Sequence, residues 1–311
     1  MDGPKPVECK HHMFGRPSEF ELDNIVCIYH AGCLDGTMAA ALIAERFRER
    51  CRVVPAMYGR AAPKVELNET VIIVDFSYKR ALLRSLSLAC KKVIVFDHHV
   101  TAMAELVDFD PLFATVFDME RSGAGLVWDW LHDGEKRDPL VDAVEDYDLW
   151  KFKCLNTREI AAYLSTAIND IPRMCNILDR ERLDTIVEKG RAICSERDRN
   201  SAILAGGAQY RLTKKIGVVD LEKQTAIAVV NCPTFYVNDV ADIILNRDPV
   251  SIVLCWHFDN NGYRYSMRSR GFDVSGIAKG NEGGGHASAA GFSSPTLLPY
   301  TVFEGPDAVT T

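Results

Sequence analysis

The sequence lacks the features of several protein classes. No apolar run approaches the roughly 18 residues that a membrane-spanning helix needs, so we expect no membrane partner. No internal repeat or low-complexity segment is visible. The chain has ten cysteines but no CxxC pair, which argues against a zinc finger. Scattered, unpaired cysteines are typical of a reducing compartment, and we expect a cytoplasmic protein.

Cations are also scarce. The chain has 36 Lys and Arg against 43 Asp and Glu, a formal net charge of −7 over 311 residues. Binding to long nucleic acid requires many cations on one face, so a long duplex is not an expected partner. A short anionic ligand is compatible with this charge, because a few local cations or a metal suffice. The length is typical of two domains.

Strand and helix patterns alternate in the first half of the chain. Short, wholly apolar runs predict strands that are covered on both faces, at 25–29, 71–75 and 92–97. Segments with helical spacing follow the first two of them, at 36–50 and 78–90. This alternation predicts a parallel α/β sheet, in which ligands bind at the carboxyl ends of the strands.

From about Asp118 the pattern predicts more helices, and past Tyr210 it predicts a second unit. Helical patterns occupy 122–133, 138–147, 156–168 and 173–204. Strand patterns then surround one more helix, at 224–231, 250–258 and 263–269 around 237–247. The predicted fold is α/β in three parts: an N-terminal parallel-sheet domain over 1–172, a helical connector over 173–210, and a smaller C-terminal α/β domain with a mixed sheet over 211–311.

Histidines and aspartates follow the predicted strands of the first half and end one helix. Such residues at neighbouring strand ends suit a pair of divalent metals, and a lone aspartate on a central strand is placed to bridge them. Each residue alone has a simpler explanation, such as a helix N-cap or a buried histidine. One metal site accounts for all of them: His30, Asp35, Asp75, Asp97, His98, His99, Asp146 and Asp148.

These segments together resemble the DHH phosphoesterases, a family named for the triplet found here as Asp97-His98-His99. Four motifs occur in the family's order: HAGCLDG, VDFSY, FDHHVTA and EDYDLW. In the second half, GGGHASAAGF at 283–292, preceded by YSMRS and FDVSGIA, resembles the C-terminal substrate-binding domain associated with DHH enzymes. The resemblance extends from about Asn24 to Phe292.

The resemblance implies roles for the matching residues. The implied metal ligands are His30, Asp35, Asp75, His98 and Asp146, with Asp75 as the bridge and with Asp148 as the alternative to Asp146. The implied catalytic residues are His99, which faces the scissile phosphate, Asp97, which supports the histidines, and Asp35, near which the attacking water is held. The implied cofactors are two divalent metal ions: manganese first, then magnesium, cobalt, iron or zinc.

One position departs from the family pattern. The common first motif has two aspartates separated by one residue, and here this spacing gives Cys33 and Asp35. Cys33 is therefore a further candidate ligand of softer character, or the first metal is bound more weakly. It could equally be a small packed residue that leaves His30 to act alone.

The glycine run near the C-terminus predicts a phosphate-binding loop. Gly283, Gly284 and Gly285 can bring backbone N–H groups close to an anion, and His286 is expected to begin a short helix there. Arg268 and Arg270 on or near an adjacent strand would add contacts. A platform for base stacking is expected from aromatic residues of the same domain, with Tyr265, Phe272 and Tyr263 as candidates.

These features predict a metal-dependent phosphoesterase. It would hydrolyse phosphodiester or phosphomonoester bonds of short oligonucleotides, as an exonuclease of the nano-RNA type, or of small nucleotides. The alternatives are a cyclic-dinucleotide phosphodiesterase and, in a different class, a nucleotide-binding sensor with impaired catalysis. The expected partner is the short substrate itself, bound by a monomer or homodimer whose two domains close over it.

Overall fold

The computed structural model describes residues 24–57, 60–106, 108, 110, 112–260 and 262–298. The chain divides into two units, Met1–Cys194 and Ser195–Thr311. Among the helices of the described residues, none combines the length and the apolar character that crossing a membrane requires.

The first unit is built on a five-stranded sheet. Its strands are β1 Ile25–His30, β2 Cys51–Ala56, β3 Thr70–Val74, β4 Lys92–Asp97 and β5 Ala114–Phe117. The order across the sheet is β2-β1-β3-β4-β5, and every neighbouring pair is parallel. The direction of strand addition therefore reverses at β1 and β3, and their carboxyl ends border the topological switch point at which such sheets bind ligands.

Helices cover both faces of this sheet. They are α1 Leu34–Phe47, α2 Arg80–Ala89, α3 Val100–Glu105, α4 Gly123–His132, α5 Pro139–Asp148, α6 Thr157–Leu164, α7 Ile171–Arg180 and α8 Leu183–Gly206. Alternate residues of one strand enter different cores: Ile72 and Val74 pack on the side of α1, and Val71 and Ile73 on the side of α2. Burial on both faces explains the continuous apolar runs of the central strands.

The segment predicted as a connector is divided between the two units. It corresponds to α7 and α8, and Met174 and Ile186 from these helices are buried in the core of the first unit. The division between the units lies inside α8, after Cys194. Gly190 marks where α8 packs most closely: an added Cβ would lie 2.0 Å from the backbone oxygen of Glu159.

The second unit is built on a six-stranded mixed sheet. Its elements are β6 Gln209–Ile216, β7 Val219–Asn231, α9 Val237–Arg247, β8 Ile252–Asp259, β9 Gly262–Ser269, α10 Ser275–Gly280, β10 Gly284–Gly285 and β11 Ala289–Ser294. The order is β10-β11-β9-β8-β7-β6, with β7 and β8 parallel and the other pairs antiparallel. The predicted fold class, a parallel-sheet α/β domain followed by a domain with a mixed sheet, is confirmed.

We expect Gly190→Ala to destabilise the first unit. Alanine is the better helix former, by about 1 kcal/mol. The added methyl would nevertheless meet the Glu159 backbone, which cannot move away like a flexible side chain. The overpacking should lower the free energy of unfolding, measured by urea denaturation, by about 1–3 kcal/mol.

Gly206 provides the matched control in the same helix. An added Cβ there meets no atom within 4 Å, so Gly206→Ala should leave stability unchanged or raise it by up to about 1 kcal/mol. Equal stability of Gly190→Ala and the unmodified protein would contradict the close packing of α8.

Candidate metal centre

Three adjacent central strands deliver the candidate ligands to one edge of the sheet. β1 ends at His30, β3 ends directly before Asp75, and β4 ends at Asp97, which His98 and His99 follow. The carboxyl ends of neighbouring parallel strands meet at the same edge, so residues far apart in sequence become neighbours.

Asp75 lies at the centre of this group. Its Oδ1 is 3.2 Å from Nε2 of His98, and its Oδ2 is 3.5 Å from Nδ1 of His30. Three sets of ligand atoms, each within 4.8 Å, can be drawn through the site, and Asp75 belongs to two of them. We call the combined set the ligand cluster: His30, Cys33, Asp35, Asp75, His98, His99 and Asp148.

The backbone of Asp75 is left-handed, with φ of 61°. This region is sparsely populated, and aspartate enters it more readily than most residues. Two glycines permit the conformation: a Cβ on Gly123 would lie 2.8 Å from Cβ of Asp75, and a Cβ on Gly36 would lie 3.0 Å from its Oδ2. Strained backbone at such a position is common in functional sites, where the surrounding packing maintains it.

Asp35 is held by the first turn of α4. The Gly123 N–H donates to its Oδ2 at 2.6 Å, and the Ala124 N–H donates to its Oδ1 at 3.0 Å. A helix N-terminus favours negative charge, so the contact stabilises a carboxylate that is 1% exposed. Sequence reasoning did not assign this role to Gly123 and Ala124. The available signal was Ser122 before a run of small residues, an N-cap whose Oγ accepts from the Gly125 N–H.

Asp97 organises the two histidines that follow it. Its Oδ1 accepts from the His98 N–H at 2.7 Å and the His99 N–H at 3.1 Å, and lies 2.7 Å from Nδ1 of His99. Asp97 is fully buried and lies outside the ligand cluster. These contacts are those of a residue that positions a neighbouring ligand set.

The structure places the two aspartates at the end of α5 in different surroundings. Asp148, the alternative, lies in the ligand cluster, with Oδ2 3.4 Å from Nε2 of His98. The Asp146 carboxylate instead accepts the Lys153 N–H, the Cys154 N–H and the Thr157 hydroxyl. Residues two apart on a helix point in roughly opposite directions, so only one of the pair can face the cluster.

Crowded carboxylates dominate the electrostatics of the cluster. Burial and the charge of Asp75 raise the pKa of Asp148 to about 6, and the same two causes raise the pKa of Asp35 well above its usual value. Burial alone would lower the pKa of His98, but its carboxylate neighbours raise it to about 10. A bound cation would relieve this crowding of negative charge.

The donor set fits a divalent metal. Imidazole and carboxylate donors together suit manganese, iron or zinc. Oδ2 of Asp75 is buried, and the 3.5 Å to Nδ1 of His30 is longer than a normal hydrogen bond, so a cation between these two atoms would satisfy both. Cys33 is less suited, because burial and the neighbouring carboxylates raise the pKa of its thiol well above the usual value.

The glycine loop of the second unit differs from its prediction in one respect. His286 does not begin a helix: Gly284 and Gly285 pair with Gly291 and Ala290, and His286 closes the turn through its N–H to the Ala289 carbonyl. An added Cβ on Gly284 meets no atom within 4 Å, whereas Gly283 and Gly285 lie against backbone. Close packing explains why positions 283 and 285 are glycine, but it does not explain the glycine at position 284.

Arg268 and Tyr265, two residues of the second unit that were expected to contact substrate, both have partners within the protein. Arg268 is partly buried, and its guanidinium donates to the Asn238 side chain and to the Met267 carbonyl. Tyr265 is 1% exposed and stacks on Phe292, so its ring has no face open to a base. The expectation of a stacking platform at Tyr265 is therefore wrong, because the ring belongs to the core.

Comparisons with known proteins agree with this architecture. Residues 223–302 match the family described as the DHHA1 domain. The uncharacterized protein R106 of Acanthamoeba polyphaga mimivirus is 27% identical over 312 residues, which cover 93% of this chain and 72% of that protein.

Two solved structures share the fold. RecJ from Thermus thermophilus in complex with Mn²⁺ has a TM-score of 0.52 and 15% identity, covering 86% of this chain and 49% of that one. A second structure, exonuclease RecJ bound to manganese, has a TM-score of 0.52 and 16% identity, covering 86% of this chain and 85% of that one. The expected resemblance of the second half to the C-terminal domain associated with DHH enzymes is confirmed by the DHHA1 match over 223–302, and the two structures share the fold.

Substitution by asparagine should have different effects at Asp146 and Asp148. Asp148→Asn removes a charge from the cluster, so it should weaken manganese binding by about 10- to 100-fold in calorimetric titration. It should leave the free energy of unfolding unchanged or raise it, because burial and Asp75 disfavour the charge that is removed. Asp146→Asn should lower the free energy of unfolding by about 1–3 kcal/mol, because an amide cannot accept the same three hydrogen bonds. The opposite pattern would restore Asp146 as the ligand.

Proposed function

We propose that this chain is a metal-dependent phosphoesterase that hydrolyses short oligonucleotides or small nucleotides. The observation that carries the proposal is the position of Asp75, within 3.5 Å of both His30 and His98 at the switch point of a parallel sheet. One carboxylate between two separate sets of donors is what a pair of metals requires.

Two of the three donor sets share Asp75. His30 and Asp75 would hold one ion, with Cys33 beside them. The other two sets share His98, and we assign to the second ion four of their residues: Asp35, Asp75, His98 and Asp148. Divalent ions bound there supply Lewis acidity and an activated water. Manganese is the first candidate, since both RecJ structures were solved with it.

The protein's own residues supply orientation. Asp97 fixes the ring of His99, which we assign to the non-bridging oxygens of the reacting phosphate. Asp35 and Asp75 orient the attacking water. Both carboxylate oxygens of Asp35 accept hydrogen bonds from the backbone of α4, so the position of this side chain is fixed.

The substrate is expected to be short. The formal net charge of −7 is unfavourable for a long polyanion, and counterion release from many phosphates would need cations that the chain lacks. The exposed backbone at Gly284 in the DHHA1 region supports phosphate binding, and one of the RecJ structures is described as an exonuclease. A substrate panel from mononucleotides through cyclic dinucleotides to pentanucleotides separates the candidates.

Asp75→Asn should abolish hydrolysis and leave the fold intact. Asparagine keeps the shape and tolerates the left-handed backbone, so it removes only the negative charge. We expect a loss of at least about 100-fold in manganese-dependent hydrolysis of a pentanucleotide, with unchanged circular dichroism.

The matched control is Asp133→Asn, a second aspartate with a left-handed backbone, at the end of α4 and outside the cluster. It should retain full activity. Full activity in Asp75→Asn would refute the proposed metal arrangement. Inactivity of the unmodified protein on the whole panel would favour the nucleotide sensor.

Gly284→Ala tests the glycine loop. The methyl group meets no protein atom, so stability should not change. If a substrate phosphate approaches this backbone, the methyl group should raise KM by about tenfold while kcat changes less. An unchanged KM in steady-state kinetics would remove the loop from the binding site.

A further inference from the structure

An exposed aromatic segment directly follows the ligand cluster in the chain. We call residues 149–155, with the sequence LWKFKCL, the aromatic loop. Trp150 is 49% exposed and Phe152 is 38% exposed. Their rings meet edge to face with centroids 4.8 Å apart, and Tyr147 flanks both. Other large rings of the described residues are exposed as well, and what distinguishes this pair is its place in the chain directly after the ligand cluster.

The loop is fixed in this arrangement. The Lys151 N–H donates to the Asp146 carbonyl, and the Lys153 and Cys154 N–H groups donate to the Asp146 carboxylate. Trp150 and Phe152 have φ of 54° and 48°, in the left-handed region that bulky residues rarely enter. Asp146 thus holds both aromatic residues in a strained backbone and keeps their rings at the surface, and such strain persists only where the surroundings maintain it.

The loop is also close to the cluster and carries positive charge. Trp150 is two residues from Asp148, so their Cα atoms are at most about 7 Å apart. Lys151 and Lys153 alternate with the rings, and both are exposed. Lys151 Nζ donates to the Glu120 carbonyl, and Lys153 is exposed to solvent. Aromatic faces interleaved with cations are how proteins bind single-stranded nucleic acid without sequence preference.

We propose that the aromatic loop is a base-stacking site for the nucleotide next to the reacting phosphate, with Trp150 and Phe152 contacting the base and Lys153 the backbone. This inference rests on the proposed function and names a binding site for its substrate. It makes Asp146 a positioning residue for the substrate site, because its carboxylate ties the loop that carries both rings.

The test compares an ordinary pentanucleotide with an abasic pentanucleotide of the same charge. Trp150→Leu removes the π-face and keeps apolar bulk, and it should raise KM for the ordinary substrate roughly 5- to 150-fold. KM for the abasic substrate should not change. Trp150→Phe should restore most of the affinity. Leu155→Ala, which truncates an 85% exposed residue of the same loop that has no ring, should leave both KM values unchanged.

Two results would overturn the inference while the proposed function stands. One is an unchanged KM for the ordinary substrate in Trp150→Leu, and the other is an equal rise for the abasic substrate, which would mark a structural role. Phe152→Leu repeats the comparison if Trp150→Leu fails to fold. If the unmodified protein hydrolyses neither substrate, the proposed function fails. The binding of a labelled pentanucleotide in the presence of Mn²⁺, measured by fluorescence anisotropy, then tests the stacking site. Weaker binding by Trp150→Leu than by the unmodified protein supports the site, and equal binding refutes it.

Discussion

The contact between the Asp35 carboxylate and the first turn of α4 is the constraint on which the first unit's site depends. Two backbone N–H groups of Gly123 and Ala124 reach a carboxylate 88 and 89 residues earlier in the chain. The contact compensates the burial of a negative charge and brings Gly123 against Asp75.

A second set of charges extends this constraint to α5. Glu145 accepts the Ser122 N–H at the start of α4 and pairs with Arg121 and Arg137, which also pair with Asp129. Gly125 leaves room for the Glu145 carboxylate, because a Cβ there would lie 2.0 Å from its Oε2. The network fixes the rotation of α5, so that Asp148 faces the ligand cluster and Asp146 faces the loop. One helix thereby serves both the candidate metal site and the aromatic loop.

The central strands and their terminal ligands could be predicted because they are apolar on both faces and end in polar residues. The edge strands could not. β2 contains Pro55 and buries only Ala56 fully, and β5 has four residues, so neither forms a distinct apolar run. The choice between Asp146 and Asp148 depends on helix rotation, which the ion-pair network sets and composition does not reveal. His286 was misassigned because the small residues after it suit a tight turn as well as a helix.

The left-handed backbone of Asp75 has a consequence for how the sequence can change over time. The position must supply a negative oxygen to the cluster and also accept a conformation that few residues tolerate. Asparagine and glycine satisfy the backbone but not the charge. Glutamate satisfies the charge, but its longer side chain would displace the oxygen from the space between His30 and His98. Aspartate alone meets both requirements, so any single substitution at this position loses either the negative oxygen or the left-handed backbone.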